Sequence, residues 1–232
     1  RIRKHISDQA NYEKLIEIIN KKEHKEEPYF LFSVTMQSHG GYTNTSYKGS
    51  VETVGYTDSA VNQYLSLQKE SDDALKYLIE YFEDYEEPTI IIMFGDHYPD
   101  LPDSFTEWIT GKKYEDSTLE EQQQYFATPF FIWANYDIPE EEGILTSTNY
   151  LSTLLLEQTG LQMTPYNYYL QDLRKKMPAL NHLGYMDEQG TYTSWDEMDE
   201  EYETLELQYE AVQYNELAES SRRVDRFFSI GD

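Results

Sequence analysis

The chain has 232 residues, of which 44 are Asp or Glu and only 18 are Lys or Arg, so its formal net charge at pH 7 is −26. This length is enough for one large domain, or one domain with an appendage, and for a sizeable buried core. The negative charge argues against a nucleic-acid surface and against docking on anionic lipid through a basic patch. Because the chain has no cysteine, disulfides, cysteine metal sites and thiol nucleophiles are excluded.

The chain also lacks obvious targeting segments. No apolar run approaches the ~18 residues that a membrane-spanning helix needs, and no signal-peptide pattern is visible. The first residues, RIRKHISDQ, do not include an initiator methionine. We therefore expect this chain to be a soluble piece of a longer protein, whose location it does not reveal.

The first third of the chain predicts a helix, a strand and another helix. Tyr12, Leu15, Ile16 and Ile19 follow a helical spacing before Pro28. Residues 29–35, YFLFSVT, form a continuous apolar run that is typical of a strand buried on both faces. After a polar, glycine-containing loop, a long helix begins near Thr57 or Asp58, either of which could cap it, and ends near Tyr85. Asp72 interrupts its apolar stripe and is expected to be solvated.

The middle of the chain predicts two more strands and two more helices. Residues 89–95 and 128–137 have the composition of buried strands, and Pro129 opens the second of them, where a missing N–H is tolerated. Helices follow at 147–160, where Gly160 ends the helix, and at 165–177. The alternation of strands and helices predicts an α/β fold with helices on both faces of a sheet.

From Gly184 the composition becomes more acidic. A glycine-centred turn predicts a hairpin, and an acidic helix with a possible docking face of Leu205, Tyr209, Val212 and Leu217 follows it. The simplest interpretation of the acidic run is a solvated face. We therefore divide the chain into a main domain over 1–183 and an acidic tail subdomain over 184–232 that packs on it.

The five histidines differ in their surroundings. His5 and His24 lie among charged residues and are expected to be exposed, and His182 is expected to have a structural role in a turn. His39 and His97 each follow a predicted buried strand by a few residues. If strands 29–35 and 89–95 run parallel in one sheet, both histidines lie at the same edge, where α/β proteins gather their ligands.

Asp96 and His97 are the strongest candidates for chemistry. They follow the most apolar strand of the chain and a glycine, in the stretch TIIIMFGDHYPDL. At the exit of a strand the alternation of side chains breaks, so two neighbours can point at one place. A carboxylate and a neutral imidazole suit a divalent cation such as zinc or manganese. A polar turn without function is the competing interpretation, since an Asp-His pair is by itself a weak signal.

Other catalytic motifs are missing. The sequence contains no P-loop, no dinucleotide-binding glycine fingerprint and no GxSxG nucleophile elbow. No serine or threonine lies in a setting that marks an activated nucleophile.

Together, three stretches resemble the carboxyl-terminal half of the extracellular catalytic domain of lipoteichoic acid synthases. They are PYFLFSVTMQSHGGY, the stretch from YLSLQKES to FGDHYPDL, and the stretch from TPFFIWANYDI to YNYYLQDL. More broadly, they resemble membrane-anchored phosphoglycerol transferases and the sulfatase-like enzymes of the alkaline phosphatase superfamily. The match covers about residues 10–185. It implies part of the mixed sheet of that superfamily, and the acidic tail fits less specifically.

The resemblance implies roles for three residues. Asp96 and His97 match a metal-binding pair, with manganese as the expected metal and zinc, magnesium or calcium as alternatives. His39 matches a histidine that contacts the phosphate or the glycerol headgroup. In such enzymes a metal-bound threonine attacks phosphatidylglycerol to form a covalent intermediate, which an acceptor then displaces.

The chain departs from the family pattern in one respect. The threonine nucleophile and the remaining metal ligands come from the amino-terminal half of the domain, which this chain does not contain. We therefore expect a parent enzyme that is anchored in the membrane and works at the cell envelope, and an isolated chain that is inactive. Sulfate-ester and phosphoethanolamine chemistry stay open. A hypothesis of another class is a catalytically inert, acidic interaction module on the same scaffold.

Overall fold

The computed structural model describes residues 1–24, 27–219 and 221–231 and has the predicted mixed α/β architecture. The helices of this described part are α1 (Asp8–Asn20), α2 (Ser59–Glu83), α3 (Asp103–Thr110), α4 (Leu119–Gln124), α5 (Leu151–Thr159), α6 (Pro165–Lys176), α7 (Glu200–Leu217) and α8 (Asp225–Phe228). Its strands are β1 (Ile90–Phe94), β2 (Phe130–Ala134), β3 (Ala179–Asn181), β4 (Gly184–Met186) and β5 (Tyr192–Ser194). None of the described helices combines the length and the apolar character needed to cross a membrane.

The chain divides into two compact units. Unit 1 contains Arg1–Ser117, Ala127–Pro129 and Trp133–Tyr136, and unit 2 contains Thr118–Phe126, Phe130–Ile132 and Asp137–Asp232. The predicted boundary between a catalytic domain over 1–183 and a tail over 184–232 stays a prediction. The two compact units describe how the chain packs, and they do not show where the catalytic domain ends.

In unit 1, α1 and α2 form as predicted and pack together. Asp58 begins α2, because its side chain accepts hydrogen bonds from the backbone N–H groups of Ala60 and Val61. Their shared core is built on Ile16, Leu78 and Phe82, each less than a tenth exposed. Burial of three such side chains removes enough apolar surface to fix the helix pair.

The strands β1 and β2 form a two-stranded sheet. At one end the N–H of Gly95 donates to the carbonyl of Pro129, and at the other the N–H of Asn135 donates to the carbonyl of Thr89, so the strands run antiparallel. The Asn135 side chain also accepts from the Thr89 N–H, at 2.7 Å. Both strands are only half-buried rather than covered on both faces.

The strand predicted for residues 29–35 is not formed. The segment has no regular secondary structure, and no backbone–backbone hydrogen bond links it to another described residue. Its large apolar side chains are exposed, with Phe30 at 83%, Phe32 at 69% and Val34 at 62%. The prediction was wrong for this chain because a strand needs a partner, and the described residues do not supply one. The parallel arrangement with residues 89–95 therefore fails as well.

In unit 2, the tail elements form as predicted and share a core with α6. The strands β3, β4 and β5 make an antiparallel meander, so the predicted hairpin is present between β4 and β5. Tyr202 and Tyr209 of α7 are buried with Tyr150, which is fully inaccessible to solvent. The predicted docking face of α7 is correct at Leu205 and Tyr209 but wrong at Leu217, which is 83% exposed.

Candidate functional site

The turn after β1 is fixed by a glycine. The Gly95 N–H donates to the Pro129 carbonyl, and the Thr128 hydroxyl donates to the Gly95 carbonyl at 2.7 Å. A Cβ at this position would lie 2.8 Å from the Cβ of Thr128, which is closer than real Cβ contacts. Only glycine lets the chain come this close to Thr128. The hydrogen bonds of Gly95 with Pro129 and Thr128 therefore fix the point at which Asp96 and His97 follow the strand.

The side chains of Asp96 and His97 converge rather than splay apart. The Nε2 atom of His97 lies 3.5 Å from Oδ2 of Asp96. The other carboxylate oxygen of Asp96 accepts the backbone N–H of His97 at 3.0 Å. The Nδ1 atom of His97 lies 2.7 Å from the carbonyl oxygen of Tyr98. Both side chains are about three-quarters exposed, so they are open to a ligand.

This arrangement suits one half of a metal site. When Nδ1 donates its hydrogen to the Tyr98 carbonyl, the lone pair of His97 is on Nε2, beside the Asp96 carboxylate. An imidazole nitrogen and a carboxylate oxygen are ligands for zinc and manganese. Among residues 1–24, 27–219 and 221–231, no three His, Cys, Asp or Glu side chains come together in a way that could hold a metal. The pair therefore offers two ligands and leaves the remaining positions to other groups.

His39 lies in an exposed turn between two buried residues, Gln37 and Tyr42. Gln37 is 1% exposed, and its side chain accepts the N–H of Asp8 and donates to the Leu67 carbonyl and the Ser71 hydroxyl. The imidazole of His39 itself is exposed. The hydrogen bonds of the buried Gln37 side chain therefore hold the start of a turn whose histidine is exposed to solvent.

Tyr42, three residues after His39, packs against Tyr64. The rings of Tyr42 and Tyr64 meet edge to face at 5.5 Å between centroids. Burial first, and then Tyr64 and the carboxylate of Asp100, raise the pKa of Tyr42. Burial and Tyr98 raise the pKa of Tyr64.

The other histidines only partly match their predictions. His24 is exposed, as predicted, and His182 packs edge to face against Phe126 at 4.5 Å, which fits a structural role. The prediction for His5 was wrong, because its ring is half-buried and its centroid lies 5.8 Å from that of His39. Burial, followed by the positive charges of Arg3 and Lys4 and by His39, lowers the pKa of His5.

Comparison with protein families places these turns in a known context. The model of the family described as Sulfatase matches residues 2–161, which is more than half of the chain. The chain belongs to the sulfatase family. His39, Asp96 and His97 all lie inside the matched region, whereas most of unit 2 lies beyond its end.

Two relatives of this sulfatase-family chain give further detail. A curated protein of Rhizobium meliloti (strain 1021), named "Putative cyclic beta-1,2-glucan modification protein", is 33% identical over an alignment of 162 positions that covers 66% of this chain and 25% of that protein. The solved Streptococcus pyogenes phosphoglycerol transferase GacH, in complex with sn-glycerol-1-phosphate, has a TM-score of 0.62 at 19% identity. That match covers 93% of this chain and 51% of GacH, so the two share a fold. The chain spans about half the length of the solved relative and a quarter of the curated one.

Sequence reasoning missed several residues that shape this region of the sulfatase-family chain. Arg3 donates to the carbonyls of Gln37 and His39, each at 2.7 Å, although 34 and 36 residues separate them. The buried role of Gln37 has no local signal, because glutamine is normally exposed.

Proposed function

We propose that this sulfatase-family chain carries part of the active site of a metal-dependent phosphoglycerol transferase at the cell envelope. The observation that carries the proposal is the 3.5 Å approach of His97 Nε2 to Asp96 Oδ2 at the exit of a strand. The fold of GacH and the family of the chain support this reaction class. A hydrolase acting on a related phosphate or sulfate ester is the neighbouring possibility, since a fold hosts several chemistries.

Asp96 and His97 are the proposed ligands of a divalent metal. Manganese is proposed first because the family resemblance implies it, and zinc, magnesium or calcium stay open. When bound, the metal would lower the pKa of an attacking hydroxyl and neutralise charge on the phosphate oxygens. The Tyr98 carbonyl holds Nδ1 of His97 at 2.7 Å and so keeps Nε2 free for this role.

His39 is the proposed contact to the substrate headgroup. Its exposed imidazole can donate a hydrogen bond to a phosphate oxygen or to a glycerol hydroxyl. The proposed donor is a lipid with a phosphatidylglycerol-like headgroup. In the overall exchange, the bond between phosphorus and the diacylglycerol oxygen breaks, the acceptor oxygen bonds to phosphorus, and the proton of the acceptor ends on diacylglycerol.

We also propose a glycan hydroxyl as the acceptor. The curated relative is named for the modification of a cyclic β-1,2-glucan, and GacH is named as a phosphoglycerol transferase. Transfer of phosphoglycerol to a sugar hydroxyl is a reaction that is consistent with both names.

The proposed enzyme needs a nucleophile and further metal ligands besides Asp96 and His97. The nucleophile and the other metal ligands are assigned to an amino-terminal part of the same domain, in a parent protein with a membrane anchor and an extracellular catalytic domain. The exposed apolar segment 29–35 supports this assignment, because a backbone that pairs with no other described residue can accept a neighbouring strand. On its own the chain is therefore expected to be inactive.

The test is a transfer assay on the whole parent protein. Vesicles containing phosphatidylglycerol labelled in its headgroup are incubated with the protein and a cyclic β-1,2-glucan, with manganese or with a chelator. Labelled glucan that forms only in the presence of metal supports the proposal. If no label is transferred or released with any of the four metals, the alternative of an inert acidic module replaces it. If label is released as free glycerol phosphate without transfer, a hydrolase replaces the transferase.

A further inference from the structure

Buried side chains support the turn that carries His39 at both of its ends. On one side Gln37 is anchored in the buried network described above. On the other side Tyr42 is 4% exposed, and its hydroxyl donates to the Ser38 carbonyl at 2.8 Å. Gly40 and Gly41 complete the tip after His39, and two adjacent glycines give a backbone more freedom than any other pair of residues.

One side chain bridges this tip. The Nη2 atom of Arg3 donates to the carbonyl oxygens of Gln37 and His39, both at 2.7 Å. Its Nη1 atom lies 3.5 Å from the carbonyl oxygen of Gly41, which makes a weaker third contact. The guanidinium group also lies over the ring of Tyr42, 5.6 Å from its centroid. Arg3 therefore connects the buried start of the turn with its glycine-rich tip.

The backbone of Arg3 is itself held in an unusual conformation. Its φ angle is 51°, and it is the one non-glycine residue with positive φ in the part of the chain that the structure describes. Reciprocal backbone hydrogen bonds between Ile2 and His5 close the turn around it, at 3.1 and 3.0 Å. A non-glycine residue in this region of φ is strained, and the conformation persists only where its surroundings impose it. The three carbonyl contacts of the guanidinium group are such surroundings.

We propose that Arg3 is the positioning residue of His39. The planar guanidinium group offers several donors in fixed directions, so it can hold two or three carbonyls at once. A lysine would keep the charge but could not reproduce this fork. Arg3 thus limits the conformations of residues 39–41 and holds the imidazole in one place beside the ring of His5. This inference rests on the proposed substrate role of His39.

The decisive experiment is a double-mutant cycle on the whole parent protein. It compares kcat/KM for phosphoglycerol transfer in the wild type, Arg3→Lys, His39→Ala and the double variant. Because Arg3 acts through His39, Arg3→Lys is expected to lower kcat/KM about tenfold alone and to have no further effect once His39 is removed. Arg3→Gly removes the backbone strain at this position, but it also removes the guanidinium donors. It should therefore lower kcat/KM as Arg3→Lys does. Lys4→Ala is the control for loss of a nearby positive charge and should leave kcat/KM unchanged.

A second measurement follows the turn directly in the 232-residue chain. Backbone 15N relaxation should show residues 39–41 as ordered in the wild type and in Lys4→Ala. In Arg3→Lys the order parameters of these residues should fall below about 0.6. Circular dichroism on each variant establishes that the fold is retained.

The outcomes separate the two proposals. Wild-type kcat/KM in His39→Ala overturns the substrate role of His39 and the positioning role of Arg3 with it. A loss in His39→Ala without a loss in Arg3→Lys overturns the inference about Arg3 alone. The positioning role of Arg3 also fails if Arg3→Lys adds its full loss on top of His39→Ala, or if the order parameters of residues 39–41 do not change.

Discussion

In the turn after β1, Nε2 of His97 lies 3.5 Å from Oδ2 of Asp96, while Nδ1 of the same ring lies 2.7 Å from a backbone carbonyl. One nitrogen is thus occupied by the main chain and the other faces a carboxylate. Such an arrangement prepares a histidine to bind a metal, because the hydrogen bond fixes both the tautomer and the ring orientation. It costs the fold little, since both side chains are exposed.

From this geometry we expect Asp96→Asn and His97→Ala each to lower the phosphoglycerol transfer that we propose for the parent protein about a hundredfold or more. Because both residues are exposed, neither substitution should change the circular dichroism spectrum or the midpoint of urea unfolding. His24→Ala, which removes another exposed histidine, is the matched control and should retain activity. Wild-type transfer by either variant would remove the metal assignment.

The isolated chain should bind manganese weakly. Two protein ligands without a preformed cage rarely hold a divalent ion tightly. Isothermal titration calorimetry of the chain is expected to give a Kd well above about 1 μM, and His97→Ala should weaken even that binding. Submicromolar affinity that is lost in His97→Ala would show that the chain supplies more of the site than this pair.

Gly95→Ala should destabilise unit 1, because the added Cβ would lie 2.8 Å from the Cβ of Thr128. Forcing an extra carbon into such a contact costs about 1–3 kcal/mol. The free energy of unfolding from urea titration measures the loss. Gly40→Ala is the control, since nothing lies within 4 Å of its added Cβ. Equal stabilities of the two variants would mean that the strand and the turn separate more easily than the structure indicates.

Asp8 should make the stability of the chain depend on pH. Its carboxylate is buried, and one oxygen lacks a hydrogen-bond partner in the structure. Burial raises its pKa above 3.8, although hydrogen bonds from Ser71 and Gln37 oppose the shift. Because the folded state binds this proton more tightly, the stabilising contribution is complete below 3.8 and is lost as the pH rises through the folded-state pKa.

The variant Asp8→Asn isolates this effect, since it cannot ionise. The free energy of unfolding of the wild type, measured relative to Asp8→Asn by urea titration, should decrease as the pH rises from the acidic side and then become constant. Asp72→Asn, which removes an exposed carboxylate on α2, is the control for the loss of one negative charge. If the free energy of unfolding of the wild type instead rose with pH relative to that of Asp8→Asn, the pKa of Asp8 would be lowered by folding and the prediction would be wrong.

The local parts of this structure were predictable from sequence because their causes are local. The helical period of α1 and α2, the Asp58 cap and the glycine before Asp96 all act within a few residues. The convergence of Asp96 and His97 follows from the same kind of cause, since a strand that ends at a glycine delivers the next two side chains together. The metal itself stays a prediction.

The parts that sequence could not predict depend on distant residues. Arg3 reaches His39 across 36 positions, and no periodicity links the two. His5 was expected to be exposed because its neighbours are charged, yet the closure of the Ile2–His5 turn brings its ring beside His39. The residues next to Arg3 and His5 in the sequence say nothing about these contacts, because the contacts form only when distant parts of the chain fold together.

The last prediction concerns the segment 29–35, which has the composition of a buried strand but is exposed in this chain. Phe30 and Phe32 are 83% and 69% exposed, so Phe30→Ser with Phe32→Ser should change the free energy of unfolding of the chain by less than about 0.5 kcal/mol. Phe82→Ala, at a side chain that is 3% exposed, should cost about 3–5 kcal/mol and is the control for a buried position.

In the whole parent protein the same pair of serine substitutions should behave differently. If a strand from the rest of the domain covers the segment, the two substitutions bury hydroxyl groups and remove apolar contacts, so they should cost several kcal/mol and lower the yield of folded protein. Urea unfolding of parent and chain, each with and without the substitutions, measures the difference. An equal and small effect in both would mean that the segment stays uncovered, and that the sequence pattern of a buried strand has another cause.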